Sequence, residues 1–158
     1  MKYAGIIKND FAAAPGVCLS FFVQGCPIRC KGCHNPECWD FDGGKTFTAE
    51  TINEIIEGLT ANGIQRTFCV MGGEPLCDDN LFLTTLVIRE VKTRLPEIPI
   101  WVWTGYEAET IFNSKDTHML YIINNVDGFV TGPYIEELRD ITLPMRGSSN
   151  QQIIELTD

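Results

Sequence analysis

The sequence predicts an α/β fold in which a mostly parallel sheet forms a partial, open (β/α) barrel or an open sheet. Three observations lead there. Short apolar runs alternate with stretches of helical periodicity, the pattern of successive βαβ units with right-handed crossovers. The 158 residues suit one domain, residues 1–158, and are too few for a closed eight-unit barrel, which typically needs ~250. Finally, the segments of unusual composition follow the apolar runs, and parallel α/β folds place ligand sites at the carboxyl ends of strands.

Each element has its own signal. Residues 3–7 read as a short edge strand and residues 10–16 (DFAAAPG) as a loop. Residues 17–23 (VCLSFFV) form a continuous apolar run, as expected of a buried strand. Residues 24–44 are rich in Cys, Gly, Pro and Asn and read as a long loop; loops of that length inside a compact domain usually carry function. Thr48 is placed to cap a helix whose Ile52, Ile55, Ile56 and Leu59 share one face, with Gly63 as its stop. Residues 67–71 (TFCVM) are the next strand. Asp79 is placed to cap a second helix with Leu83, Leu86, Val87 and Val91 inward, and Pro96 and Pro99 bracket its exit. Ile100–Trp103 reads as a third buried strand and Gly128–Thr131 as a fourth. Between them lie a short helix from near Tyr106 and a helical stretch over residues 116–123. The tail from Leu143 is irregular, with residues 152–156 as a last strand.

Composition narrows the class. With 44% hydrophobic and 21% charged residues, the chain has the make-up of a soluble globular protein. The run at residues 17–23 is far too short to span a bilayer, and the N-terminus lacks the apolar region of a signal peptide, so the reading is cytoplasmic. A net charge of −9 argues against non-specific binding to nucleic acid or to an anionic membrane.

Seven cysteines without a secretion signal point away from disulfides and towards metal. Cys26, Cys30 and Cys33 have the spacing C-x3-C-x2-C, which lets three thiolates converge from one loop. A cubane iron–sulfur cluster normally takes four cysteines, so three would leave one iron open. A structural zinc site with Cys38 or His34 as fourth ligand and a ferredoxin-like electron carrier are the alternatives at this point. Zinc sites are usually built from two paired short spacings, and no second pair is present. Cys18 and Cys69 lie within strands as core residues, Cys77 reads as a spare thiol, Trp101 and Trp103 as core or edge packing, and His118 as surface. Further along, Gly72-Gly73-Glu74-Pro75, Thr104-Gly105-Tyr106 and Thr131-Gly132-Pro133-Tyr134 each follow a strand. One pocket could gather all of them. Glycines let a backbone approach a ligand closely, and Glu74 could accept from a ligand's ammonium group.

The cysteine loop directly after a strand, with Gly72-Gly73-Glu74-Pro75 after the next, resembles the radical S-adenosylmethionine (SAM) superfamily. Within it, His34-Asn35-Pro36-Glu37, Trp39-Asp40-Phe41, Gly43-Gly44 and Trp103-Thr104-Gly105-Tyr106 resemble the activating proteins of anaerobic ribonucleotide reductase. Gly132-Pro133-Tyr134-Ile135 and the segment from Leu143 to Gln151 extend that likeness over essentially the whole chain. Thr131 departs from it, since an acidic residue is expected before Gly-Pro.

The resemblance implies a partial, open (β/α) barrel of the radical SAM type. It implies a 4Fe–4S cluster on Cys26, Cys30 and Cys33, which are then both metal ligands and catalytic. It also implies SAM bound by Gly32, Cys33, His34, Gly72, Gly73, Glu74 and Pro75, with His34 contacting through its backbone. A side chain at Gly73 is expected to obstruct the methionine end of SAM. Reductive cleavage would give a 5′-deoxyadenosyl radical that takes a hydrogen from a glycine of the reductase. The implied partners are the large subunit of anaerobic ribonucleoside-triphosphate reductase and reduced flavodoxin or a similar electron donor. The rivals are an activase of the pyruvate formate-lyase type and a non-catalytic iron–sulfur or zinc module.

Overall fold

The computed structural model describes residues 1–156. Seven strands are named in chain order: β1 (Lys2–Asp10), β2 (Cys18–Val23), β3 (Lys45–Thr46), β4 (Thr67–Gly72), β5 (Ile100–Trp103), β6 (Gly128–Thr131) and β7 (Gln152–Glu155). The helices are α1 (Ala49–Leu59), α2 (Asp78–Arg94), α3 (Ala108–Phe112) and α4 (Thr117–Asn125). All strands join one open sheet in the order β3-β1-β2-β4-β5-β6-β7. The four central strands β2, β4, β5 and β6 run parallel, while β1, β3 and β7 are added antiparallel. The sheet is therefore mixed with a parallel centre, rather than mostly parallel throughout.

Two further expectations need correction at the edges. The first strand runs over Lys2–Asp10, and β3 pairs with Lys2 and Tyr3, so β1 is second from the edge. A two-residue strand has no periodicity, which is why residues 45–46 left no trace in the pattern.

The helix signals follow local hydrogen bonding. Thr48 and Thr51 form a reciprocal capping pair, with Thr48 N donating to Thr51 Oγ1 at 3.1 Å. The cap of α2 is Cys77 and not Asp79; Asp78 and Asp79 both occupy its first turn, where they complement the helix dipole. The short helix expected from near Tyr106 is α3, capped by Glu107, and Tyr106 N just before it donates to Thr104 Oγ1 at 3.1 Å. Asp116 caps α4 by accepting from His118 N and Met119 N. Among the described residues, no helix is long and apolar enough to cross a membrane.

The apolar strands bury alternate residues on opposite faces. Leu19, Phe21, Phe68, Val70, Ile100 and Val102 face the main core, with Ile55, Leu83, Val87 and Ile122 from the helices. The opposite face carries a small cluster of Ala14, Cys18 and Cys69, with Met71, Trp103 and Met145 beside it. Loop residues Ala13 and Ala14, rather than a helix, cover that second face. Cys18 and Cys69 are thus core residues, as their position in strands predicted.

Candidate active site

An open cavity of ≈ 200 Å³ lies at the carboxyl ends of the parallel strands. Cys26, Cys30, Cys33 and His34 line it from the loop after β2. Gly72, Gly73 and Glu74 line it after β4, Thr104 and Gly105 after β5, and Gly132 and Tyr134 after β6. The four segments singled out in the sequence therefore meet in one place. Gly32 and Pro75 do not line it: Gly32 sits against the Glu136 side chain, and Pro75 is buried, its carbonyl accepting from Thr84 Oγ1 at 2.7 Å. Among the described residues, no group of three His, Cys, Asp or Glu is set to hold a single metal ion, although all three cysteines line the cavity.

The loop that carries them is closed at its base. Gln24, 3% exposed, donates to Glu37 O at 3.0 Å and to Asp40 O at 2.7 Å. Gly25 N donates to Cys38 O at 2.7 Å and Cys26 N to Trp39 O at 3.1 Å. The backbone then acts on the sulfurs. Asn35 N donates to Cys33 Sγ at 3.4 Å, and the backbone at Arg29 and Ile28 favours the thiolate form of Cys26. Burial nonetheless raises Cys26 above the ordinary thiol value, with that backbone opposing it. Cys38 is buried and pushed up to about 11, chiefly by burial and then by Glu37, Cys33 and Cys26. It does not line the cavity, and its carbonyl serves the loop base instead. Cys77 caps α2, and burial pushes it up to about 11.

The glycine loop is pressed against this base. Val23 pairs with Gly72 in register, and Gly73 N donates to Val23 O and Glu74 N to Gly25 O, both at 2.9 Å. Gly72 has φ +105°, and a Cβ there would lie 2.7 Å from Val23 N. A Cβ on Gly73 would run into Gly25 O and lie 2.8 Å from Gly25 C and 3.0 Å from Cys38 O. The space a side chain at Gly73 would take belongs first to the root of the cysteine loop, and not only to a ligand.

Glu74 is 1% exposed and already engaged. Its Oε1 accepts from Leu76 N at 3.0 Å and Thr104 Oγ1 at 2.6 Å, and its Oε2 from Gly105 N at 2.7 Å. Burial pushes its carboxyl up to about 7 against those three donors. Its side chain fastens the end of β4 to the end of β5, a structural duty that the sequence did not suggest.

On the far wall the His34 and Tyr134 rings lie 5.0 Å apart. The Gly147–Gln151 segment acts as a clip: Gln151 Oε1 accepts from Gly147 N and Ser148 N, while Gln151 Nε2 and Asn150 Nδ2 donate to Gly132 O and Pro133 O. Thr131, the residue that departs from the acidic expectation, is 1% exposed, and its hydroxyl has no partner among the described residues. Ile28, inside the cysteine segment, and Trp39, in a quoted motif, also line the cavity, whereas sequence reasoning missed Gln24 and Asn80. Gln24 had one usable signal, a polar residue continuing an apolar strand straight into Gly-Cys.

An open α/β sheet with three free thiols and glycine loops at its carboxyl edge defines the class as a candidate iron–sulfur protein. A family model described as "4Fe-4S single cluster domain" matches residues 12–154. The chain is 35% identical over 158 residues to the anaerobic ribonucleoside-triphosphate reductase-activating protein of Vibrio cholerae, covering 99% of each. It is 35% identical over 158 residues to the protein of the same name from Enterobacteria phage T4, covering 100% of this chain and 96% of the phage protein. The Salmonella typhi protein of that name is 31% identical over 157 residues, 99% of each chain. The chain belongs to the family of anaerobic ribonucleoside-triphosphate reductase-activating proteins, within the 4Fe-4S single cluster domain group.

Proposed function

We propose that this chain is a cytoplasmic radical SAM activase that generates the glycyl radical on the large subunit of anaerobic ribonucleoside-triphosphate reductase. The observation that carries the reading is the convergence of Cys26, Cys30 and Cys33 with Gly72–Glu74, Gly105 and Gly132 on one open cavity. The names of the relatives carry the reductase to this chain.

The residues present fit a 4Fe–4S cluster and SAM. All three thiols are free, and the Asn35 amide donates to the sulfur of Cys33, as suits a thiolate ligand of a cluster. The buried indole N–H of Trp39, a residue of the cavity wall, has no partner among the described residues and leaves a donor for an acceptor-rich group. When bound, a reduced cluster with SAM supplies a 5′-deoxyadenosyl radical.

Cys26, Cys30 and Cys33 would hold the cluster, and three cysteine ligands would leave one iron open to SAM. Gly72, Gly73, Cys33 and His34, which line the cavity, would bind SAM, and Gly32 and Pro75 would support them from outside its lining. Because three donors already engage Glu74, its main duty is to hold the β4 and β5 ends together. The helix-free second face suits a partial barrel that admits a protein loop carrying the target glycine. A reduced flavodoxin or similar protein is the proposed electron donor.

The test is anaerobic. The protein is loaded with iron and sulfide, then given SAM and reductant, and 5′-deoxyadenosine is measured; the reductase is then added and its radical spectrum recorded. A carbon-centred doublet on the reductase, lost when its glycine becomes Ala, supports the reading. A radical on a formate-lyase partner alone favours the rival activase. A loaded, reduced protein that leaves SAM intact sinks the enzyme reading.

A further inference from the structure

We propose that Asn80 is a positioning residue of this site, whose side-chain amide locks the root of the cysteine loop to the glycine loop and sets the gap between them. The inference rests on the reading that these two loops hold the cluster and SAM. Asn80 lies in the first turn of α2, is 5% exposed, and does not line the cavity. Its Nδ2 donates to Gly25 O at 3.0 Å and to Glu74 O at 3.1 Å, which uses both amide hydrogens. Gly25 is the residue before Cys26, and Glu74 follows Gly73. One buried donor thus spans the two segments whose separation any shared ligand must match.

The surroundings make this clamp stiff. Gly25 O also accepts from Glu74 N at 2.9 Å, so one carbonyl takes both bonds. Thr84, one turn further along α2, donates to Pro75 O at 2.7 Å. The Glu74 carboxylate continues the chain of contacts to Thr104 and Gly105. Helix α2 is 17 residues long and packs Leu83, Val87, Ile88 and Val91 into the core. The helix is therefore the fixed body, and Asn80 transmits its position to both loops. Removing the amide leaves Gly25 O with Glu74 N as its donor and Glu74 O with only the long 3.5 Å bond from Cys77 N, so each buried carbonyl loses a bond.

The experiment compares wild type with Asn80→Ala, the isosteric Asn80→Asp and the control Thr85→Val. Thr85 is buried on the same helix, and its hydroxyl donates only to Leu81 O of that helix. Three quantities are read: melting of the apo-protein, alkylation rate of Cys26 in the apo-protein by mass spectrometry, and SAM affinity per cluster by equilibrium dialysis. Both Asn80 variants should alkylate Cys26 faster and bind SAM about tenfold or more weakly. Asn80→Asp should be at least as impaired, since it keeps the shape but turns an oxygen towards two carbonyls. Thr85→Val should lower the melting temperature without moving either of the other readouts.

Asn80 variants that fold, alkylate at the wild-type rate and bind SAM within twofold of wild type would overturn the proposal. So would an equal loss of SAM affinity in Thr85→Val, which would reduce Asn80 to a general stabiliser. If loaded wild type itself fails to bind SAM, the reading of the site falls, and this inference with it.

Discussion

Gly73→Ala is the sharpest test of how the two loops are packed. The added Cβ would run into Gly25 O and sit 2.8 Å from Gly25 C and 3.0 Å from Cys38 O. All three are backbone atoms, so no side chain can swing away. The root of the cysteine loop must move, or the glycine loop must, and either movement strains Glu74 N to Gly25 O and Gly73 N to Val23 O, each 2.9 Å. Overpacking of this kind costs ~1–3 kcal/mol, and two weakened hydrogen bonds add ~1 kcal/mol each. A total of about 3–5 kcal/mol lowers the melting temperature of a chain this size by about 6–20 °C. The assay is circular-dichroism melting of the apo-protein, followed by iron and sulfide analysis after anaerobic loading. Gly5→Ala is the control, because a Cβ there meets nothing within 4 Å. Melting within about 2 °C of wild type, with full iron uptake, would refute the argument. If SAM binding alone were then lost, Gly73 would be a clearance for the ligand and nothing more.

Three further outcomes are expected. Cys26→Ala, Cys30→Ala and Cys33→Ala should each lose the intact cluster while Cys38→Ala keeps it, by iron analysis and the electron paramagnetic resonance of the reduced protein; cluster loss in Cys38→Ala would replace the open-iron reading with a closed four-ligand site. Burial raises Glu74 in the folded state from 4.5 to about 7, so folded protein holds that proton more tightly and loses stability as pH rises through that window, with no further change above it. Glu74→Gln removes this titration, so the stability of wild type relative to the variant should fall by about 3 kcal/mol between pH 4.5 and pH 8 in urea melts of the apo-protein; a constant difference would contradict it. Gln151→Ala removes acceptors of Gly147 N and Ser148 N and the donor to Gly132 O, so hydrogen exchange at the 147 and 148 amides should accelerate, and unchanged protection would deny the clip.

What was legible in the sequence follows from which forces are local. The central strands could be read because strands buried on both faces are continuous apolar runs, as in CLSFFV and IWVW. α1 could be read from four isoleucine and leucine positions on one face and a threonine cap. β1 was read too short because KYAGIIKND carries no clean alternation, and β3 is a product of pairing alone. The start of α2 slipped because Asp79 has the chemistry of a cap, while the chain turns into the helix two residues earlier. At the site, residue types and spacing pointed to Cys26, Cys30, Cys33 and the glycine loop. The partners of Glu74 and Asn80 were invisible, since they depend on contacts across 31 and 55 residues.

The sheet register is the ruler that sets the site. β2 and β4 pair from Cys18↔Thr67 through Val23↔Gly72 without a break, so both strands end at the same level. The next residues, Gln24-Gly25 on one side and Gly73-Glu74 on the other, must then run side by side at the spacing of neighbouring strands, ~4.8 Å. At that distance backbone meets backbone, which is why Gly73 N and Glu74 N find Val23 O and Gly25 O and why Gly72 and Gly73 have no room for a Cβ. Cys26 begins where this contact ends, and its position is inherited from the ladder behind it. A slip of one residue between β2 and β4 would turn Phe68 and Val70 out of the main core and Cys69 into it. The same slip would carry Glu74 away from Thr104 and Gly25 from Asn80. The burial of two phenylalanines and a row of aliphatic side chains therefore places the thiols and the glycine loop opposite one another, before any ligand contributes.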